Sequence, residues 1–265
     1  MQPIYTADNT NAAYQLNWSL SLFGLQPLPI IEQWLAELKT ATVADGVRVL
    51  SAELRSANVA QFFVSTRPEI SPSDVVRSVK SRLQYLLRKD LPKAFRRNYH
   101  IQSVGEAKSE VLDRYVAKQT EKHPMADPRV QSLLAGLQFY DQTVELDRPQ
   151  IGTYGQYLNS IQIVLENDGG WHEVGEEHLN GVRNMIIAAA KKKDWRLSRI
   201  GLLSNHLHIL VGAEVNESPQ SVALSLMNNI AYVHSMTPVL KFSYYAGTFG
   251  GYDRGAIRLN QSKLS

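Results

Sequence analysis

The chain has 265 residues and no cysteine, so it forms no disulfide and offers no thiolate to a metal. With 44% hydrophobic and 20% charged residues it has the composition of a folded chain, not a disordered one. A net charge of +3 says little by itself, and the longest apolar runs, such as "MIIAAA" at 185–190, are too short to span a membrane.

In chain order, the opening "MQPIYTADNT" lacks the basic-then-apolar order of a secretory leader, so a cytoplasmic location is expected. "YQLNWSLSLF" (14–23) alternates like a strand, and "LPIIEQWLAELKTATVADG" (28–46) supplies a helix ending near Gly46. "VRVLSAELR" and "VAQFFVS" read as a hairpin-like strand pair, and the Ser-Pro start of 71–91 opens a strong helix. The stretch 123–152 carries prolines at both ends and one short predicted helix, and reads as a linker. Beyond it, "LNSIQIVLE" (158–166) is a strand and "EEHLNGVRNMIIAAAKKKD" (176–194) a helix. "RLSRIGLL" and "HLHILVG" form a second strand pair, and a second Ser-Pro helix begins at Ser218.

The two series are copies. At an offset of 147 residues, Asn58, Val64, Ser71, Pro72, Val75, Ser78 and Tyr85 recur as Asn205, Val211, Ser218, Pro219, Val222, Ser225 and Tyr232. Phe95 recurs as Phe242. The expected organisation is a first repeat over 1–122, a linker over 123–152 and a second repeat over 153–265. Each repeat is expected to be α+β and ferredoxin-like, an antiparallel sheet with helices packed on it. Tyr85 and Tyr232, at one recurring helical position, are assigned to packing.

Charge is clustered. Arg77, Lys80, Arg82, Arg88, Lys89, Lys93, Arg96 and Arg97 lie together against only Asp90, and Lys191, Lys192, Lys193, Arg196 and Arg199 form a second group. Such clusters neutralise phosphates. Those selected as nucleic-acid contacts are Arg88, Lys89, Lys93, Arg96, Arg97 and Lys191 to Lys193.

The segment "NHLHILVG" (205–212) holds the most specific chemistry. On a strand, i and i+2 share a face, so His206 and His208 aim at one spot and can hold a divalent cation or pack as a structural pair. The first repeat has Val59 and Gln61 at these positions. His100, His123, His172, His178 and His234 have no partner at a useful spacing and are taken as surface or structural.

The order strand, helix, His-Leu-His strand, Ser-Pro helix resembles the single-tyrosine HUH transposases of bacterial insertion sequences, the TnpA type, including their REP-associated members. "SVGEAKSEVLDRYVAKQ" (103–119) resembles that family's last helix, which bears a nucleophilic tyrosine with a glutamine four residues later. The resemblance implies Tyr115 as nucleophile, and His206, His208 and Gln119 as ligands of Mg²⁺ or Mn²⁺. It further implies single-stranded DNA with a hairpin as partner, and cleavage and rejoining through a 5′-phosphotyrosine. The fold it implies is a tandem of two ferredoxin-like, RRM-like HUH domains.

This sequence departs from that pattern in both repeats. The first lacks the histidines, and in the second the direct counterpart of Tyr115 is Ser262, while that of Gln119 falls past Ser265. Tyr252, in "GTFGGYDRG", has no glutamine four residues on. Family members are homodimers in which the tyrosine helix of one subunit can dock on the histidines of the other. The expectation is therefore one composite site, with Tyr115 and Gln119 from the first repeat and His206 and His208 from the second. The chain would be a monomer built like a dimer. Two alternatives stay open at this point: a non-catalytic binder of hairpin DNA or RNA, and a metal-dependent nuclease or RNA-binding protein that uses water in place of Tyr115.

Overall fold

The computed structural model describes residues 2–125, 127–169 and 175–252. The first series of elements is β1 (Asn11–Gln15), β2 (Asn17–Gly24), α1 (Leu35–Val43), β3 (Val47–Ser56), β4 (Val59–Thr66), α2 (Pro72–Leu87) and β5 (Phe95–Val104). It continues through α3 (Ser109–Ala117), the single turn α4 (Gln119–Lys122), α5 (Pro128–Leu137), β6 (Phe139–Tyr140) and β7 (Gln150–Gly152). The second series is β8 (Gly155–Leu158), β9 (Ser160–Asn167), α6 (Glu176–Lys192), β10 (Arg196–Leu202), β11 (His206–Gly212), α7 (Pro219–Val233) and β12 (Leu240–Thr248).

These elements build two six-stranded sheets, ordered β3-β4-β2-β5-β8-β7 and β1-β12-β9-β11-β10-β6. Within the first, β2-α1-β3-β4-α2-β5 gives four antiparallel neighbours in the order β3-β4-β2-β5. Within the second, β9-α6-β10-β11-α7-β12 gives the matching order β10-β11-β9-β12. This is the α+β, ferredoxin-like arrangement expected from the sequence, present twice.

Alternation along the strands decides which face meets the helices. Trp18, Leu20 and Leu22 of β2 join Ala60, Phe62 and Val64 of β4 in one core, closed by Val75, Val79 and Leu83 of α2. Ile161, Ile163 and Leu165 of β9 join Leu207, Ile209 and Val211 of β11 in the other, closed by Ile186 of α6 and Leu226 and Ile230 of α7. Both Ser-Pro helices start as their sequences require. The Ser71 hydroxyl accepts from Asp74 N at 3.2 Å in a capping box, and the Ser218 hydroxyl accepts from Ser221 N at 3.1 Å. Each cap contributes about 1 kcal/mol.

One expectation is corrected: residues 14–23 do not form a single strand. The chain breaks at Leu16, and β1 pairs in parallel with β12 of the second sheet while β2 belongs to the first. Leu16 is buried in the second core and Trp18 in the first, so the two halves follow different hydrophobic surfaces. The second series makes the reciprocal exchange at Asn159, with β8 pairing in parallel with β5 of the first sheet. The segment 123–152 carries α5, whose Leu134 and Leu137 enter the second core, together with β6 on the second sheet and β7 on the first. Among the described residues, no helix is long and apolar enough to cross a membrane.

Candidate active site

On β11 the odd-numbered residues Leu207, Ile209 and Val211 face the helices, which leaves His206, His208 and Leu210 for the opposite face. Helix α3, which follows β5 of the first sheet, lies on that face of the second. Its Val116 packs with Leu146, Leu210 and Phe249 in a small separate cluster. A Cβ placed on Gly201 of β10 would come within 2.7 Å of Val116 Cγ1, so a glycine is what lets the helix approach this closely. Gly201 is the register partner of His208, which brings the helix directly over the histidine.

A charged latch fixes the same helix. Arg199 of β10 donates from Nε and Nη2 to the two Asp113 carboxylate oxygens at 2.6 and 2.9 Å, and its guanidinium lies 3.9 Å from the Tyr140 ring centroid. The Arg199 side chain is only 12% exposed, and Asp113 is the carboxylate paired with it. Asp113→Ala should lower stability by about 1.5–3 kcal/mol, the range for a hydrogen bond to a charged group, read as the shift in a urea midpoint. An unchanged midpoint would mean that the latch does not hold α3.

The docking places Tyr115 against His208. Their rings stand edge to face with centroids 5.7 Å apart, and His208 meets His206 in the same manner at 5.0 Å. Asn205 Oδ1 lies 2.6 Å from His206 Nδ1, fixing Nδ1–H as a donor and leaving the Nε2 lone pair available. The Gln162 amide lies 3.1 Å from His208 Nδ1. The amide nitrogen Nε2 is the end that faces the ring; the two ends of an amide are nearly isosteric, and with the oxygen turned to Nδ1 instead the contact would give His208 the same tautomer. Burial, then the charge of His206 and that of His123, pushes the His208 pKa down to about 4. His206 is lowered by burial and then by His123. Burial thus favours the neutral form of both rings.

Gln119 opens α4 one turn beyond Tyr115 rather than continuing the same helix, because the chain leaves helical geometry at Lys118. It is fully buried, and among the described residues neither its amide nitrogen nor its oxygen has a partner. His208 Nε2 is likewise buried and unpartnered. An unmet buried polar atom costs about 1–3 kcal/mol, and a divalent cation suits two imidazole nitrogens and an amide oxygen. The residues present therefore fit a metal. Among the described residues, no group of three His, Cys, Asp or Glu could hold a metal ion.

Two residues of the site escape sequence reasoning. His123, assigned above to a surface or structural role, stands edge to face with His206 at a centroid distance of 5.7 Å. Its partner lies across the repeat boundary, where spacing along the chain cannot reveal it. The Lys122 ammonium lies 4.2 Å from the Tyr115 ring centroid. Asn205 left a trace in the sequence, since it recurs as Asn58. In the first repeat, the Gln61 side chain that replaces a histidine donates to Ser19 Oγ at 2.8 Å and accepts from Arg55 Nε at 2.5 Å. Ser262 lies outside the described residues, as does His172; His178 and His234 stack on each other with centroids 5.8 Å apart.

The basic clusters separate into spent and available charges. Arg77 pairs with Asp74 and Arg82 with Asp45, while Lys80 Nζ donates to the carbonyls of Arg96 and Arg97. Arg196 donates to the carbonyls of Glu145 and Arg148, and Arg199 is held by Asp113, so both are engaged within the protein. Arg88, Lys89, Lys93, Arg96, Arg97, Lys191 and Lys192 are exposed and form no ion pair among the described residues; Lys193 lies 3.8 Å from Glu217. Tyr85 and Tyr232 are each 59% exposed, which overturns their assignment to packing: the recurring position points outward from α2 and α7.

Residues 31–119 match the family described as Transposase IS200 like. No curated protein sequence matches the chain. Among solved structures, a protein assigned as a transposase from Deinococcus radiodurans R1 is 15% identical over 39% of this chain and 88% of its own, with a TM-score of 0.32. A REP-associated tyrosine transposase bound to a REP hairpin is 8% identical over 38% of this chain and 61% of its own, also at 0.32. The family match takes in Tyr115 and Gln119 as well as the positions of Val59 and Gln61. Through residues 31–119, the chain is thus similar to the IS200-like transposases.

Proposed function

We propose that the chain cleaves and rejoins single-stranded DNA through a covalent 5′-phosphotyrosine at Tyr115, in one composite site. The observation that carries this reading is the Tyr115 ring against His208, a contact between the tyrosine of one repeat and the histidine pair of the other. The family supports a transposase role.

In the forward step the Tyr115 phenol oxygen forms a bond to phosphorus and the bond from phosphorus to the 3′ oxygen breaks. The phenol loses one proton and the departing 3′ oxygen gains one. Rejoining reverses this: a 3′-OH attacks the phosphotyrosine and Tyr115 leaves. His206, His208 and Gln119 would hold Mg²⁺ or Mn²⁺, which when bound polarises a non-bridging phosphate oxygen. The Asp113–Arg199 latch sets the position of the phenol, and Lys122 adds a cation beside it. Displacement of a reacting group by about 1 Å costs on the order of 100-fold in rate, so the latch matters to chemistry as well as to stability. One chain supplies one nucleophile, so two cleavages would proceed in sequence or on two molecules. A monomeric chain and a substrate that includes a DNA hairpin complete the reading.

The test is incubation with a labelled oligonucleotide and Mn²⁺, followed by denaturing electrophoresis. A labelled band at the mass of the protein, abolished by EDTA, is expected. Metal-dependent cleavage without such a band would favour water as the nucleophile, and binding without cleavage would leave a DNA-binding protein.

Phosphate contact is proposed for the exposed basic residues. Replacing Arg96 and Arg97 by Gln should reduce the slope of log affinity against log salt by about 0.7–0.9 for each phosphate no longer neutralised. An unchanged slope would place the phosphates elsewhere, with Lys191 to Lys193 next in line.

A further inference from the structure

Tyr85 and the basic turn beside it form a built surface. Arg88, the residue just past the end of α2, lays its guanidinium 3.8 Å from the Tyr85 ring centroid, and the tyrosine is still 59% exposed. The turn that follows is stitched to the helix by Gln84. Its amide nitrogen donates to the carbonyls of Leu91 and Pro92 at 3.1 and 3.3 Å, and its oxygen accepts from Ala94 N at 2.9 Å. Lys80 ties the start of β5 to the same helix through the Arg96 and Arg97 carbonyls. Lys89, Lys93, Arg96 and Arg97, all exposed, therefore stand on backbone tied to the helix that carries Tyr85. Tyr85 also borders an open groove of about 600 Å³ along α2, lined by Arg77, Ser78, Ser81 and Arg82 among others.

We infer that Tyr85 and Arg88 form a stacking platform for an unpaired base of single-stranded DNA, with its flanking phosphates held by Lys89, Lys93, Arg96 and Arg97. An exposed ring backed by a guanidinium, with exposed cations on the adjoining turn and strand that form no ion pair among the described residues, is what sequence-tolerant binding of single strands requires. The first repeat, which has Val59 and Gln61 in place of the histidines, thereby anchors the strand while the second repeat supplies the histidine pair. Tyr232 provides the internal comparison. It is equally exposed at the matching position of α7, but Ser235 stands where Arg88 does in the first repeat.

This inference rests on the reading of the chain as a protein of single-stranded DNA, and binding tests it without any cleavage. In a Tyr115→Phe background, fluorescence anisotropy would compare oligo(dT), an abasic phosphodiester strand of equal length, and oligo(U). Tyr85→Ala should weaken oligo(dT) binding by about 5- to 150-fold, the range for one stacked base, and leave abasic binding unchanged. Tyr85→Trp should restore affinity, and Tyr232→Ala should have no effect. Equal loss on oligo(dT) and on the abasic strand, an equal loss in Tyr232→Ala, or tighter binding of oligo(U) would overturn the platform. Failure of the unsubstituted chain to bind any strand would instead overturn the DNA reading itself.

Discussion

Tyr115→Phe is expected to abolish the covalent DNA adduct while leaving the fold and DNA binding intact. The substitution removes a single oxygen from a side chain that is 41% exposed, so the ring keeps its edge-to-face contact with His208 and the Lys122 ammonium keeps its aromatic face. No other tyrosine among the described residues has a ring contact with either histidine of the pair. Tyr252→Phe should therefore leave the adduct unchanged, since Tyr252 lies in a glycine-rich turn and is 60% exposed. Denaturing electrophoresis of labelled oligonucleotide distinguishes the two variants. An adduct that survives in Tyr115→Phe would assign the nucleophile elsewhere.

His208→Ala should reduce metal-dependent cleavage by more than about 100-fold, because loss of a group that merely supports a ligand already costs 10- to 100-fold. The same change removes a buried nitrogen that has no partner among the described residues. A metal-binding role therefore predicts lost activity together with lost stabilisation by Mn²⁺, measured as the rise in Tm on metal addition. A structural role predicts a lower Tm with the metal response unchanged. Restoring histidines at Val59 and Gln61 should not create a second site, because Gln61 faces Ser19 and Arg55 and no second Tyr-x-x-x-Gln helix is present among the described residues to meet it.

Much of the fold could be read from the sequence because the governing patterns are local. Period-two alternation on "VAQFFVS" and "HLHILVG", and the Ser-Pro caps at Ser71 and Ser218, fix elements within a few residues. The duplication then supplies the topology twice. What stayed hidden depends on contacts distant in sequence. The break at Leu16 arises because adjacent stretches of one strand belong to different cores, and nothing in "YQLNWSLSLF" marks where one core ends. Arg199 looked like part of a phosphate-binding cluster, yet its partner is Asp113, brought to it only by the docking of α3. His123 and Gln162 reach the histidine pair in the same way, through docking and strand register. Tyr85 shows the opposite limit: recurrence in two repeats suggested a core position, whereas both copies are exposed.

The composite nature of the site is the central claim, and the position of the adduct on the chain tests it most directly. The unsubstituted protein would be trapped on a short oligonucleotide with Mn²⁺, digested with trypsin and nuclease, and its nucleotide-bearing peptide sequenced by tandem mass spectrometry. The account predicts a single modified peptide, carrying Tyr115, whose modification disappears in His208→Ala although that residue lies in the other repeat. A modified tyrosine in the second repeat, or a Tyr115 adduct undiminished in His208→Ala, would contradict it.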